Sequence, residues 1–171
     1  MSAQAISLVE EGKFDKIVYI RPNVSLGSVP EIGFLKGDLD EKLGWTLGPL
    51  EDKFGGHEAI ESLQKEGQLE LAPLPFIRGR SFENSIVYVS EGQNITKEVA
   101  GVLLSRIGEG SEIWINGDCH SQTDKRIYDD NNGITAMINK LKGNKLFQMV
   151  YSPITERSKI AQLAAILMDD V

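Results

Sequence analysis

Short apolar runs alternate along this chain with segments in which apolar residues recur every three or four positions. Continuous apolar runs of this length, bounded by turn residues, predict strands that are buried on both faces. Strands are predicted at residues 17–20, 69–74, 86–89, 112–115 and 145–151. Helices are predicted at residues 2–11, 38–54, 57–65, 96–107, 134–142 and 158–168. The alternation predicts an α/β fold with a mostly parallel sheet flanked by helices.

Polar side chains follow two of these predicted strands. Ser90 and Glu91 come directly after residues 86–89, with Gln93 close behind, and Asp118 follows residues 112–115, with Gln122 four residues further on. Open α/β sheets bind ligands at the carboxyl ends of their strands. In nucleotide hydrolases such positions hold Mg²⁺ and orient the attacking water. A functional site is therefore predicted here, although isolated carboxylates are also common in loops.

Four arginines are candidates for contacts with phosphate, because a guanidinium matches the geometry of phosphate oxygens. Arg21 ends the first predicted strand, Arg78 and Arg80 flank a glycine, and Arg157 begins the last predicted helix. Two other interpretations stay open at this stage. Arg78 and Arg80 are equally explained as partners in structural ion pairs, and Arg157 as a solvated residue at the start of a helix.

Composition narrows the class of protein. The length of 171 residues predicts one domain over residues 1–171. The net charge of −7 argues against a protein whose main task is to hold duplex DNA, while leaving room for a local basic groove. The one cysteine, Cys119, excludes a disulfide within the chain and suits a reducing cytosol. With no long apolar stretch and no signal peptide, a cytoplasmic protein without a membrane partner is predicted.

Several motifs occur in the order found in one known family. The chain resembles the PhoH-like ATPases, the phosphate-starvation-inducible group related to the core of superfamily-one helicases. The similar segments are residues 17–22, which end in Arg-Pro, 33–42 (Gly-Phe-Leu-Lys-Gly-Asp-Leu-Asp-Glu-Lys), 76–81 (Phe-Ile-Arg-Gly-Arg-Ser), 91–94 (Glu-Gly-Gln-Asn), 106–111, 116–118 with Gln122, and 156–158 (Glu-Arg-Ser). The resemblance covers nearly the whole chain.

The resemblance implies a fold of the P-loop NTPase, RecA-like type that binds and hydrolyses ATP with Mg²⁺. Coupling to RNA or single-stranded nucleic acid and a homo-oligomeric state are further expectations. It implies that Glu91 acts on the attacking water and that Asp118 and Gln122 couple the water and γ-phosphate to nucleic acid or a neighbouring subunit. Arg157 would stabilise transition-state charge, in the same chain or across an oligomer interface. The implied nucleotide or phosphate contacts are Ser2, Arg21, Arg78, Arg80 and Gln93, and the implied metal ligands are Ser90 and Glu91.

The chain departs from the family pattern in two places. No Gly-x-x-x-x-Gly-Lys-Ser/Thr phosphate loop is present, and Ser2 falls where the last residue of that motif would be. The first strand and the phosphate loop are thus expected to be missing, which would leave a gap in the sheet. In addition, Ser90 stands where the family has the Walker B aspartate. We therefore expect impaired ATP hydrolysis. The alternatives are a catalytically silent module for nucleic-acid binding or assembly, and a truncated ordinary ATPase.

Overall fold

The computed structural model describes residues 1–22, 48, 50–118 and 131–152. Two of the predicted site residues, Gln122 and Arg157, lie outside the described residues. The same holds for the predicted helix at residues 158–168 and for most of the one predicted at residues 38–54, although residues 50–54 are helical.

Within the residues that the structure describes, four parallel strands form the sheet. They are β1 (Lys16–Ile20), β2 (Leu69–Leu71), β3 (Ser85–Val89) and β4 (Glu112–Ile115), in the order β2-β1-β3-β4. Ile20 lies opposite Val89, and Val89 lies opposite Ile115, so β1, β3 and β4 end level with one another. The predicted mostly parallel α/β sheet is confirmed, and the loops that follow these three strands share one edge.

The described strands leave no gap between them. β1 and β3 occupy the centre and are almost fully buried, whereas β4 lies at the edge of the described sheet and is half-buried. The gap expected from the missing phosphate-loop strand is therefore not found within this set of strands, because each hydrogen-bonds directly to its neighbour in the order. An additional strand on the β4 side of the sheet would have to lie beyond β4.

In the described ranges, four helices of eight or nine residues flank the sheet: α1 (Ser2–Glu10), α2 (His57–Lys65), α3 (Lys97–Leu104) and α4 (Gly133–Leu141). All four were expected from the apolar period. α3 is shorter than predicted at both ends. It begins after Thr96, whose side chain caps it by accepting a hydrogen bond from the Val99 amide at 3.3 Å, and it ends before Ser105. Beyond that point Ile107 forms an isolated bridge to Phe82.

The core lies on both faces of the sheet, because successive side chains of a strand point to opposite faces. On one face, α1, α2 and residues 50–54 cover the side chains of Ile17, Tyr19, Ile86 and Tyr88. On the other, α3 and α4 cover Val18, Ile20, Val87 and Val89. The continuous apolar strands recognised in the sequence are thus those of a sheet that is covered on both sides.

The prediction of a last strand at residues 145–151 is wrong. Residues 147–152 form no regular structure, and the side chains of Leu146 and Val150 are each 96% exposed. Only Phe147 packs against the α3 and α4 side of the core. A strand needs a neighbour to pair with its backbone groups, and none of the four described strands pairs with this segment. Residues 145–151 have the composition of a strand, but no strand of the described sheet pairs with them.

Candidate functional site

The turn after β3 holds its carboxylate in an uncommon backbone conformation. Glu91 has φ 57° and ψ 41°, which is the left-handed region, and Asn84 is the other non-glycine residue with positive φ in the described part of the chain. Such a conformation at a glutamate is unfavourable unless the surrounding structure enforces it. A short 3₁₀ turn, Gly92–Asn94, follows and is fixed by a hydrogen bond of 2.8 Å from the Gly92 amide to the Asn116 carbonyl oxygen.

Gln93 links the two loops that follow β3 and β4. Its side chain is only 1% exposed. Its Nε2 donates to Glu91 Oε2 at 2.8 Å, and its Oε1 accepts a hydrogen bond from the Asp118 amide at 3.2 Å. The amide side chain thereby sets the position of the Glu91 carboxylate relative to Asp118. The sequence predicts that these residues lie together at one edge of the sheet, and in the structure Gln93 contacts both Glu91 and Asp118.

The two loops approach too closely for side chains at their glycines. A Cβ on Gly92 would lie 2.4 Å from Cγ2 of Ile115, and a Cβ on Gly117 would lie 2.7 Å from both the backbone nitrogen and Oε1 of Gln93. These distances are well below van der Waals contact, so both positions need glycine for steric reasons. The Gly residues in the 91–94 and 116–118 motifs are therefore what lets the Glu91–Gln93–Asp118 network close.

The start of α4 is also fastened to this network, which the sequence analysis missed. Asn132 is buried, and its Nδ2 donates to the Gln93 carbonyl oxygen at 2.9 Å while its Oδ1 accepts from the Thr135 amide at 3.0 Å. The Gly133 amide adds a 2.8 Å bond to the Ile95 carbonyl oxygen. An asparagine just before a helical period is a recognisable N-cap. Its second bond, to Gln93, becomes visible only once the fold is known.

A lysine from a distant segment reaches the end of β3. Lys53, in the helical residues 50–54, donates from Nζ to the Oγ of the fully buried Ser90 at 3.3 Å. Ser90 is anchored from the other side by a 2.9 Å bond from its amide to the Ile20 carbonyl oxygen. Nothing in the sequence pattern connects Lys53 with this site, because the two residues are 37 positions apart.

The first residue of α1 lies at the same edge. Burial raises the pKa of the Tyr88 phenol, a hydrogen bond with the Ser2 side chain lowers it in part, and the charge of nearby Glu91 adds to the rise. Ser2 is thus close to the Tyr88 hydroxyl near the carboxyl end of β3. The structure places this predicted nucleotide contact next to the Glu91 turn.

The candidate arginines fall into different environments. Arg21 directly follows β1 and is half-buried at the site edge, whereas Arg78 is exposed in the turn before Gly79. Arg80 forms an ion pair with Glu70 on β2, and its guanidinium lies 4.8 Å from the centre of the Phe82 ring. For Arg80, the structure therefore shows the ion-pair alternative that the sequence left open.

We predict that the Glu70 cluster makes the fold sensitive to acid. Burial raises the pKa of Glu70, but hydrogen bonds from Lys16 and Arg80, together with their charges, outweigh it and leave this pKa below its ordinary value. A carboxylate with a lowered folded-state pKa contributes stability above its unfolded pKa, and that stability is lost as the pH falls through the folded value. Urea unfolding from about pH 7 to about pH 3 should show a steeper loss for the wild type than for Glu70→Gln.

Glu66→Gln is the control for this measurement, because Glu66 is exposed and its side chain bonds to Ser62 at the end of its own helix. Its pH dependence should follow that of the wild type. If the free energy of unfolding fell equally with pH in the wild type and in Glu70→Gln, the ion pairs of Glu70 would not contribute to the pH dependence of stability.

The donor atoms at this edge suit a divalent metal only in part. The described residues contain no group of three or more His, Cys, Asp or Glu side chains that could hold a metal ion. Ser90 does not fit a Mg²⁺ ligand, because its Oγ already faces the ammonium of Lys53, which repels a second cation. Glu91 offers carboxylate oxygens, and one carboxylate is enough for a Mg²⁺ ion that keeps its waters and phosphate oxygens.

A parallel sheet covered by helices on both faces, with a carboxylate, an amide and a lysine gathered at its carboxyl edge, defines an α/β domain of the P-loop NTPase type. The model of the PhoH-like protein family matches residues 1–165, and the chain belongs to this family. It is 34% identical to protein PhoH2 of Bacillus subtilis in an alignment of 178 positions that covers 98% of this chain and 39% of that protein.

Other relatives give the same result. Protein PhoH2 of Thermobispora bispora is 33% identical over 96% of this chain and 38% of its own length. A PhoH-like protein of Synechocystis is 37% identical over 72% of this chain and 38% of its own length. The chain thus spans less than two fifths of these curated relatives. Among the residues that the structure describes, no helix has the length and apolarity needed to cross a membrane.

Proposed function

We propose that this domain binds ATP by its phosphates at the carboxyl edge of the sheet, against the outer surface of the joined loops that follow β3 and β4. The observation that carries the proposal is the Glu91–Gln93–Asp118 network, in which one buried amide holds a carboxylate and a backbone segment in fixed relative positions. Preorganised polar groups at the ends of parallel strands are the usual basis of ligand sites in this fold class. Membership of the PhoH-like family supports a nucleotide-binding, ATPase-like domain.

Each residue has a specific part in this proposal. Glu91 accepts a hydrogen bond from the attacking water and is the protein ligand to Mg²⁺ that accompanies ATP. Gln93 is a positioning residue in this proposal, since its buried side chain contacts Glu91 and Asp118. In this proposal Arg21 and Ser2 would meet phosphate oxygens, while Gln122 and Arg157 stay candidates from the family resemblance alone.

Hydrolysis by this site is expected to be slow. The sequence contains no phosphate-loop motif, which would otherwise supply a cradle of backbone N–H groups and a lysine. Ser90 brings no negative charge to the end of β3. Because phosphoryl transfer is catalysed mainly by positioning and charge stabilisation, the loss of these groups affects turnover more than recognition of the nucleotide.

Equilibrium titration with a fluorescent ATP analogue and Mg²⁺ tests the proposal. We expect saturable binding by the wild type, and a loss of affinity of about tenfold in Gln93→Leu, which keeps the side-chain volume but removes both hydrogen bonds. Gln64→Leu, an exposed position on α2, is the matched control and should bind like the wild type. No binding by the wild type at about millimolar analogue would overturn the proposal.

The serine at position 90, where the family has an aspartate, also supports an alternative. In this alternative the chain is a catalytically silent module that binds RNA or assembles with a partner. This alternative accounts for a missing acidic residue at the end of β3 without requiring turnover. RNA binding that weakens steeply with salt, in a chain that does not hydrolyse ATP, would support it. The net charge of −7 makes any such RNA surface a local one.

A further inference from the structure

Lys53 is held so that its ammonium group points to the end of β3. The flanking residues Leu50 and Phe54 are buried in the core, and the Phe54 ring packs edge-on to Tyr19 with 6.4 Å between ring centres. These contacts fix the helical residues 50–54 against the sheet. Lys53 itself is half-buried and donates to Ser90 Oγ at 3.3 Å.

Among the described residues, no carboxylate balances the charge of Lys53. Three other described lysines do have acidic partners: Lys13 pairs with Glu11, Lys16 with Glu70 and Lys65 with Glu61. Within the described ranges, no carboxylate lies within 4.0 Å of Lys53, and its hydrogen-bond partner is a neutral hydroxyl. A half-buried ammonium in this situation has lost part of its hydration without gaining a counter-charge. Such a group attracts an anion.

We infer that Lys53 is a phosphate-binding residue that supplies the positive charge at this site, so that the polyphosphate of a nucleotide binds there without a divalent metal. The inference rests on the proposed function. It follows from the pairing of Lys53 with a serine, because an acidic residue at position 90 would form an ion pair with the ammonium and cancel its charge. With Ser90 in place, the hydroxyl orients Lys53 and leaves its charge available.

The same arrangement predicts how metal affects binding. The ammonium of Lys53 repels a divalent cation next to Ser90 and itself supplies the positive charge there. The nucleotide therefore does not need Mg²⁺ to bridge its phosphates to this loop. Lysine binds phosphate as a compact point charge and does not require bidentate geometry. Arginine at position 53 should therefore retain much of the function, whereas a neutral side chain of similar length should not.

The test compares binding of a fluorescent ATP analogue in excess EDTA with binding in Mg²⁺. We expect wild-type affinity in EDTA to lie within about tenfold of that in Mg²⁺, and Lys53→Met to lower the EDTA affinity by about tenfold or more. Lys53→Arg should restore most of the affinity. Lys65→Met, which removes an exposed lysine from α2, should have no effect. Thermal unfolding of each variant confirms that it is folded.

A second variant makes the inference independent of any folding defect. Ser90→Asp should pair with Lys53, lower binding in EDTA by as much as Lys53→Met does, and make binding dependent on Mg²⁺. Unchanged EDTA binding in Lys53→Met would overturn the inference. Wild-type binding in Mg²⁺ but not in EDTA would also overturn it while leaving the proposed function intact, whereas no binding under either condition would overturn both.

Discussion

Replacing Asn132 by alanine should destabilise the domain by about 2–4 kcal/mol. The variant loses the N-cap of α4, which is worth about 1 kcal/mol. It also leaves the buried Gln93 carbonyl oxygen without the hydrogen bond from Nδ2, at a cost of about 1–3 kcal/mol. Urea unfolding followed by circular dichroism measures the change in the free energy of unfolding.

The other side-chain cap in the described chain provides a matched control. Thr96 caps α3 but has no comparable bond to the loop after β3, so Thr96→Ala should cost only about 1 kcal/mol. Asn132→Ser separates the two effects, because serine can still cap the helix but is too short to reach the Gln93 carbonyl oxygen. Equal destabilisation in Thr96→Ala and Asn132→Ala would show that the link to Gln93 contributes nothing to stability.

Glu91→Gln should lower any Mg²⁺-dependent ATP hydrolysis by about 10²-fold or more, a much larger effect than its effect on ATP binding. The substitution keeps the shape of the side chain and an oxygen that can accept from Gln93 Nε2, but removes the negative charge that would act on water. Steady-state phosphate release, compared with analogue binding, measures the two effects separately. The exposed Glu109→Gln serves as the control.

Two other results of this experiment are informative. Robust turnover that does not respond to Glu91→Gln would exclude the proposed part of Glu91. Binding of the analogue without measurable turnover in the wild type would favour the silent module, and the Gln93→Leu comparison would then still report whether the network recognises nucleotide.

The hydrophobic pattern was sufficient to predict most of the fold. β1 and β3 are apolar at nearly every position because both of their faces are covered, and this produces the continuous runs from which the strands were predicted. The prediction failed at residues 145–151, where strand propensity is present but pairing is not. Pairing depends on which strand is adjacent in space, and local propensity carries no information about that.

The site could be predicted only where its residues follow strands directly. Glu91 and Asp118 could be placed at one edge because parallel strands bring their carboxyl ends together. Lys53 and Asn132 could not, since each reaches the site through tertiary contacts with Ser90 and Gln93. The ion pair between Arg80 and Glu70 likewise depends on where β2 joins the sheet.

Within the described strands β4 lies at the edge, and this position has a consequence for how the protein behaves in solution. An edge strand favours contact between molecules, and so do exposed apolar side chains such as those of Leu146, Met149 and Val150. At low ionic strength the net charge of −7 opposes such contact through mutual repulsion, and added salt screens that repulsion. Self-association should therefore strengthen with salt, whereas any complex with RNA should weaken. The sign of the salt dependence then distinguishes an assembly of copies of this chain from a nucleic-acid complex.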